Sequence, residues 1–105
     1  MTDYKLKILA SVKNYIHSID SSAEVLLYGS RARGDEHEDS DWDIPILIDS
    51  EASVDQEMIF RHKLFDLELE TGESFSTFVF NKSEWNSKFW MTPLYKNIVK
   101  EGIRI

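Results

Sequence analysis

The residues with the most chemical potential lie between Tyr28 and Asp49, in the stretch YGSRARGDEHEDSDWDIPILID. Asp41 and Asp43 stand two apart. On a strand that spacing sends both carboxylates to one face, whereas on a helix it would separate them. Two like charges among apolar neighbours are costly, and a hard divalent cation relieves both the repulsion and the desolvation. Mg²⁺ suits the pair, because it takes oxygen donors and keeps positions for phosphate oxygens and water. Upstream, Gly29 allows a tight strand-to-helix turn and a close approach of other groups to the backbone. The helix start beyond it offers N–H groups and a partial positive charge, and Ser30 adds a hydroxyl. Arg31 or Arg33 can add a charge-assisted contact, with Arg33 the better candidate. The competing reading pairs both arginines with Asp35, Glu36 or Glu38 at the surface, where such pairs contribute little. The two halves of the stretch fit one ligand, a metal-bound nucleoside triphosphate.

Other phosphate and metal loops fail on the same residues. A Walker A loop needs Lys followed by Ser or Thr after its second glycine, but Asp35 follows Gly34. An EF-hand starting at Asp39 needs Gly at its sixth position and Glu at its twelfth, where Ile44 and Ser50 stand.

The flanking elements must hold these residues in place. From Tyr4 to Ile19, Leu9, Val12, Ile16 and Ile19 recur at helical spacing, and Glu24 to Tyr28 reads as a buried strand ended by Gly29. Gly29 to Asp35 opens a short helix, and Asp41 to Ile48 reads as a second strand. Pro45 within it predicts an edge position or a bulge. Ser53 and Gln56 form a capping box for a helix burying Ile59, Phe60, the Lys63 stem, Leu64 and Leu67, which stops at Gly72. Phe75 to Phe80 alternates as a third strand. Ser83 is expected to cap a short helix through Trp85 to Trp90. Thr92-Pro93 starts the last helix, whose stripe Leu94, Tyr95, Ile98 and Val99 is closed by Gly102. His37 reads as a surface residue, and Asp66, Glu68 and Glu70 as a solvated acidic face. Trp85, Phe89 and Trp90 read as core, any exposed subset marking a partner surface. The order of elements predicts one α/β domain over residues 1–105.

Composition bounds the function classes. A chain of 105 residues with 42% apolar and 12% aromatic residues can bury one core. Twelve basic against nineteen acidic residues give a net charge of -7, the wrong sign for a duplex nucleic-acid binder. No cysteine is present, which excludes disulfides and thiolate metal sites. The N-terminus lacks a basic region followed by an apolar one, and no apolar run is long enough to span a bilayer, so a cytoplasmic protein is expected.

Gly29-Ser30-Arg31-Ala32-Arg33-Gly34 followed by Ser40-Asp41-Trp42-Asp43-Ile44 resembles the signature of the minimal nucleotidyltransferases, in the DNA polymerase β-like nucleotidyltransferase superfamily. The resemblance implies an α+β nucleotidyltransferase fold, a small mixed sheet of three to four strands flanked by about four helices. It implies that Gly29 and Ser30 hold the triphosphate, beside Arg33, and that Asp41 and Asp43 hold catalytic Mg²⁺. Two ions about 3.5–4 Å apart would activate the attacking oxygen and stabilise the leaving pyrophosphate. The implied reaction moves an NMP, with ATP the expected donor, to an acceptor hydroxyl. The implied partner is a small helical HEPN protein, which some family members adenylylate as antitoxins. Two departures stand out. The family's third carboxylate belongs on the third strand, but Ser74 to Phe80 contains no acid, and Glu68, Glu70 and Glu73 only precede it. The acceptor-holding domain of larger relatives is not seen after the core, so one wall of the pocket is expected to be open. The alternative reading is therefore a binding module that neutralises a helical partner without chemistry.

Overall fold

The computed structural model describes residues 1–105. Its elements run α1 (Asp3–Ile19), β1 (Glu24–Leu27), α2 (Ser30–Arg33), β2 (Trp42–Ile48), α3 (Val54–Thr71), β3 (Phe75–Asn81), α4 (Lys82–Ser87), α5 (Pro93–Glu101) and β4 (Ile103–Arg104). The four strands form one sheet in the order β3-β2-β1-β4. β2 and β3 are parallel, with α3 as the crossover, and β1 runs antiparallel to both its neighbours. The mixed sheet and its helices are those the resemblance implies, with α2 and α4 short.

Period-two alternation along the central strand divides the interior. Trp42, Ile44, Ile46 and Ile48 point to one face, where they join Val25, Leu27 and Val79. α1 covers that face through Ile8, Leu9, Val12 and Ile16, and α3 through Phe60, Leu64 and Leu67, all buried. Asp43, Pro45 and Leu47 belong to the opposite face. There Leu47 packs with Trp85 of α4 and Ile98 of α5, with Phe80, Phe89 and Tyr95 around them. That cover seals the far ends of β2 and β3. At the near end of the same face stand Asp43 and its register partner on β3, Ser76.

Helix boundaries follow side-chain caps. Thr2, Ser53 and Thr92 each accept from the backbone amide three residues on, Pro93 occupies the first turn of α5, and Gly72 closes α3 in the left-handed region. α4 differs from expectation: Asn81, not Ser83, caps it by accepting from the Glu84 amide at 3.0 Å. The Asn81 amide group also donates to the Asp49 and Ser50 carbonyls, so one side chain ties the helix start to the end of β2.

Several expectations are corrected. Pro45 lies in the central strand, not at an edge or a bulge. The β1–β2 ladder pairs Glu24 with Leu47 and Val25 with Ile46, then resumes only at Tyr28 and Asp43. Pro45, which has no N–H to donate, falls in that interruption and stays paired toward β3. β4 is an addition, a two-residue strand visible only through its pairing with β1. Ile59 is 47% and Val99 63% exposed, because the stripes of α3 and α5 are narrower than their apolar residues. Of the three C-terminal aromatics Trp85 is buried, Phe89 half-buried and Trp90 exposed. Glu68 is no solvated residue, since its carboxylate accepts from the Phe75 amide at 2.8 Å. No helix is long and apolar enough to cross a membrane.

Candidate active site

The turn between β1 and α2 depends on one glycine. Gly29 has φ 79° and ψ -156°, a conformation closed to side-chain-bearing residues. A Cβ there would run into the Asp43 carboxylate. The Tyr28 amide donates to the Asp43 carbonyl at 2.9 Å, which fixes the turn beside β2. The Gly29 carbonyl accepts from the amides of Ala32 and Arg33, both at 3.0 Å, and so starts α2. Ser30 is the first residue of that helix, with Gly29 itself in the capping position. The first-turn amides of Ser30 and Arg31 have no carbonyl one turn earlier to bond. Gly29 and Asp43, fourteen positions apart in the chain, are thus in contact.

Asp41 is exposed and Asp43 half-buried. Burial is the main cause pushing the Asp43 carboxyl above the ordinary carboxylate range, the negative charge of Asp41 adds to it, and Arg33 pulls it back. The three ionised groups therefore share one electrostatic neighbourhood. Arg33 is exposed and bonded to Asp35 at 3.2 Å and to Glu101 of α5 at 3.3 Å, bonds that raise its pKa further. Of the five residues singled out from the sequence, Gly29 touches Asp43, Asp41 and Arg33 act on Asp43 through charge, and Ser30 begins the adjoining helix.

Arg31 does something the sequence did not suggest. It is the one charged residue buried in the chain, at 6% exposure. Its guanidinium donates to the Ser40 carbonyl at 2.9 and 3.3 Å and to the Glu38 carbonyl at 3.3 Å. It lies 4.5 Å over the Trp42 ring and 3.6 Å from Glu73. All these contacts hold the segment leading into Asp41, so Arg31 is committed to the backbone and is not free for phosphate. Lys5 of α1 supports the same corner by bonding Glu36 and the Arg31 carbonyl. Carbonyl acceptors have no residue signature, which is why this role was missed.

The three glutamates that precede β3 are all engaged elsewhere. Glu73 accepts from Tyr4 at 2.6 Å and from the Trp42 indole at 3.1 Å. Glu70 accepts from Tyr15 at 2.6 Å, and Glu68 holds the Phe75 amide. The residue in register with Asp43 is Ser76. No group of three or more His, Asp or Glu side chains is placed to hold a metal ion. The concavities of the surface lie elsewhere, one of them between β1, α4 and α5 around Leu26, Leu47, Trp85 and Ile98. The paired acids stand on an open face.

The crowding of Asp43 predicts a measurable stability gain on its removal. Its raised pKa means that ionisation is disfavoured in the folded state, so stability falls as pH rises from the ordinary carboxylate range through the shifted value. Above that window the whole penalty is present. Asp43→Asn is expected to raise Tm at pH 7 by about 2–4 °C, after discounting for solvent screening. The gain should vanish at pH 3, where residue 43 is uncharged in both proteins, and calorimetry at the two pH values checks it.

Comparison with known proteins agrees with this geometry. A family model described as Polymerase beta, Nucleotidyltransferase matches residues 10–105. A solved structure described as "Crystal structure of the toxin-antitoxin with AMP-PNP" has the same fold, with TM-score 0.60 and 18% identity, over 88% of this chain and 70% of that one. At that identity the likeness is one of fold alone. No curated protein sequence matches the chain. The mixed sheet and its helices are a nucleotidyltransferase fold, and the chain belongs to the polymerase β-type nucleotidyltransferase family.

Proposed function

We propose that residues 1–105 form one nucleotidyltransferase domain that moves an NMP, AMP from ATP, to an acceptor hydroxyl on a small helical HEPN-type partner, acting as an antitoxin in the cytoplasm. The observation that carries this reading is the contact of the Gly29 turn with Asp43, beside Asp41. The pair fits Mg²⁺: Asp43 on β2 and Asp41 just before it feel each other's charge, Asp43 is partly desolvated, and no protein cation is bonded to either. Asp41 and Asp43 would hold the ion, which when bound neutralises triphosphate oxygens. The Gly29–Ser30 turn would bind the phosphates through its amides and the Ser30 hydroxyl. Arg33, exposed and paired only at the surface, would exchange Asp35 and Glu101 for a phosphate. The acceptor oxygen bonds the α-phosphorus as the bond to the bridging oxygen breaks, pyrophosphate leaves, and the hydroxyl proton passes to water on the open face. The neighbour solved as a toxin–antitoxin with AMP-PNP supports a partner and a nucleotide.

The test is incubation with α-labelled nucleoside triphosphates, Mg²⁺ and a co-expressed HEPN-type partner. Label on the partner is expected from ATP, with a loss of 100-fold or more in Asp41→Asn, on the order expected for removing a group that positions transition-state charge. A partner complex that forms yet takes no label from any of the four nucleotides sinks the enzymatic reading. Ser76 at the register position of Asp43 is the observation favouring the second reading, a module that binds its partner without chemistry.

A further inference from the structure

Resting on the site just proposed, we infer that this chain's own side chains seat a single divalent ion and provide no place for a second. Two ions a few ångströms apart bring four positive charges, and clustered carboxylates must offset them. Here the start of β2 offers only Asp43 and, just before the strand, Asp41, whose charge acts on it. The residue across the parallel ladder from Asp43 is Ser76, and Ser74 just before β3 accepts from the Trp42 amide through its carbonyl. A serine hydroxyl carries no charge and is a weak substitute for a carboxylate around Mg²⁺.

No other acid of this end of the sheet is available to complete a second seat. Glu73 is turned to the other face, where Tyr4, the Trp42 indole and Arg31 surround it. Freeing it would leave the buried Arg31 without its carboxylate partner. Glu68 and Glu70 are tied to the Phe75 amide and to Tyr15. Arg33 adds positive charge at the same corner, which further disfavours a second cation. The residue that sets the number of ions is therefore Ser76, a position that nothing about its own chemistry marks.

Mn²⁺ binding to the purified full chain without nucleotide, followed by the paramagnetic resonance signal of the free ion, tests this directly. The wild type is expected to bind one ion per chain, and Asp41→Asn none. Ser76→Asp is expected to bind two. Ser74→Asp, at an exposed position just before β3 whose carbonyl bonds the Trp42 amide, is the second variant should Ser76→Asp unfold. Ser87→Asp, the same added charge on exposed α4, is expected to behave as wild type. Two ions on the wild type overturn the inference, as does an unchanged count of one in folded Ser76→Asp and Ser74→Asp. No ion on the wild type sinks the underlying site itself, so the two failures are distinguishable.

Discussion

Gly29→Ala is expected to destabilise the protein by on the order of 3–5 kcal/mol and to abolish Mn²⁺ binding, a larger effect than alanine at Gly34 or Gly72, where an added carbon meets nothing. Two costs combine. Holding a side-chain-bearing residue at φ 79° and ψ -156° costs on the order of 1–3 kcal/mol by itself. The new methyl would also meet the Asp43 carboxylate, and overpacking of that kind costs a further 1–3 kcal/mol or so. Relief requires either that Asp43 leave its place or that the turn move off β2, breaking the Tyr28 to Asp43 bond. Both displace the proposed ion seat. Gly34→Ala is the matched control, with φ 86° but nothing within 4 Å of the added carbon, and is expected to cost only about 1–2 kcal/mol. Urea melts of the two variants, with Mn²⁺ titration of each, give the comparison. Equal losses in both would mean that contact with Asp43 contributes nothing.

Arg31→Ala is expected to cost about 2–4 kcal/mol and to weaken Mn²⁺ binding although Arg31 touches neither aspartate. Its removal strands Glu73, 15% exposed, without a positive partner and leaves the Ser40 and Glu38 carbonyls without their donor. The segment before Asp41 then loses its anchor. Arg31→Lys separates the two roles, since a lysine restores a charge near Glu73 but not the guanidinium fork that grips Ser40 from two nitrogens. Stability should recover in part while Mn²⁺ affinity stays low and the Trp42 amide exchanges faster than in wild type. Full recovery of ion binding in Arg31→Lys would show that only charge matters at this position.

Much of the molecule was legible before the fold. Apolar spacing along α1, the capping residues Ser53 and Thr92 and the stop at Gly72 are local signals, decided by groups within a turn of each other. The strand carrying Asp43 was legible, though it begins at Trp42 rather than Asp41, and the Gly29 turn needed only its glycine. Elements that failed were those whose reason lies across the sheet. Pro45 argued for an edge because a proline cannot donate to a ladder, yet the ladder skips it. Ile103 and Arg104 are too few to show a period and are a strand only beside β1.

The sequence alone determined the chemistry on offer: a glycine that can enter a forbidden turn, two carboxylates two residues apart, and no acid on β3. These are properties of residue type and near spacing, and the chain carries them whatever its fold. Only the tertiary structure decided that Gly29 lies against Asp43, that Arg31 grips the Ser40 carbonyl, and that Ser76 is the residue paired with Asp43. Those relations depend on strand register and on which carbonyls come within reach of a buried guanidinium. Register is set by packing summed over the whole sheet, and no short stretch of residues encodes it.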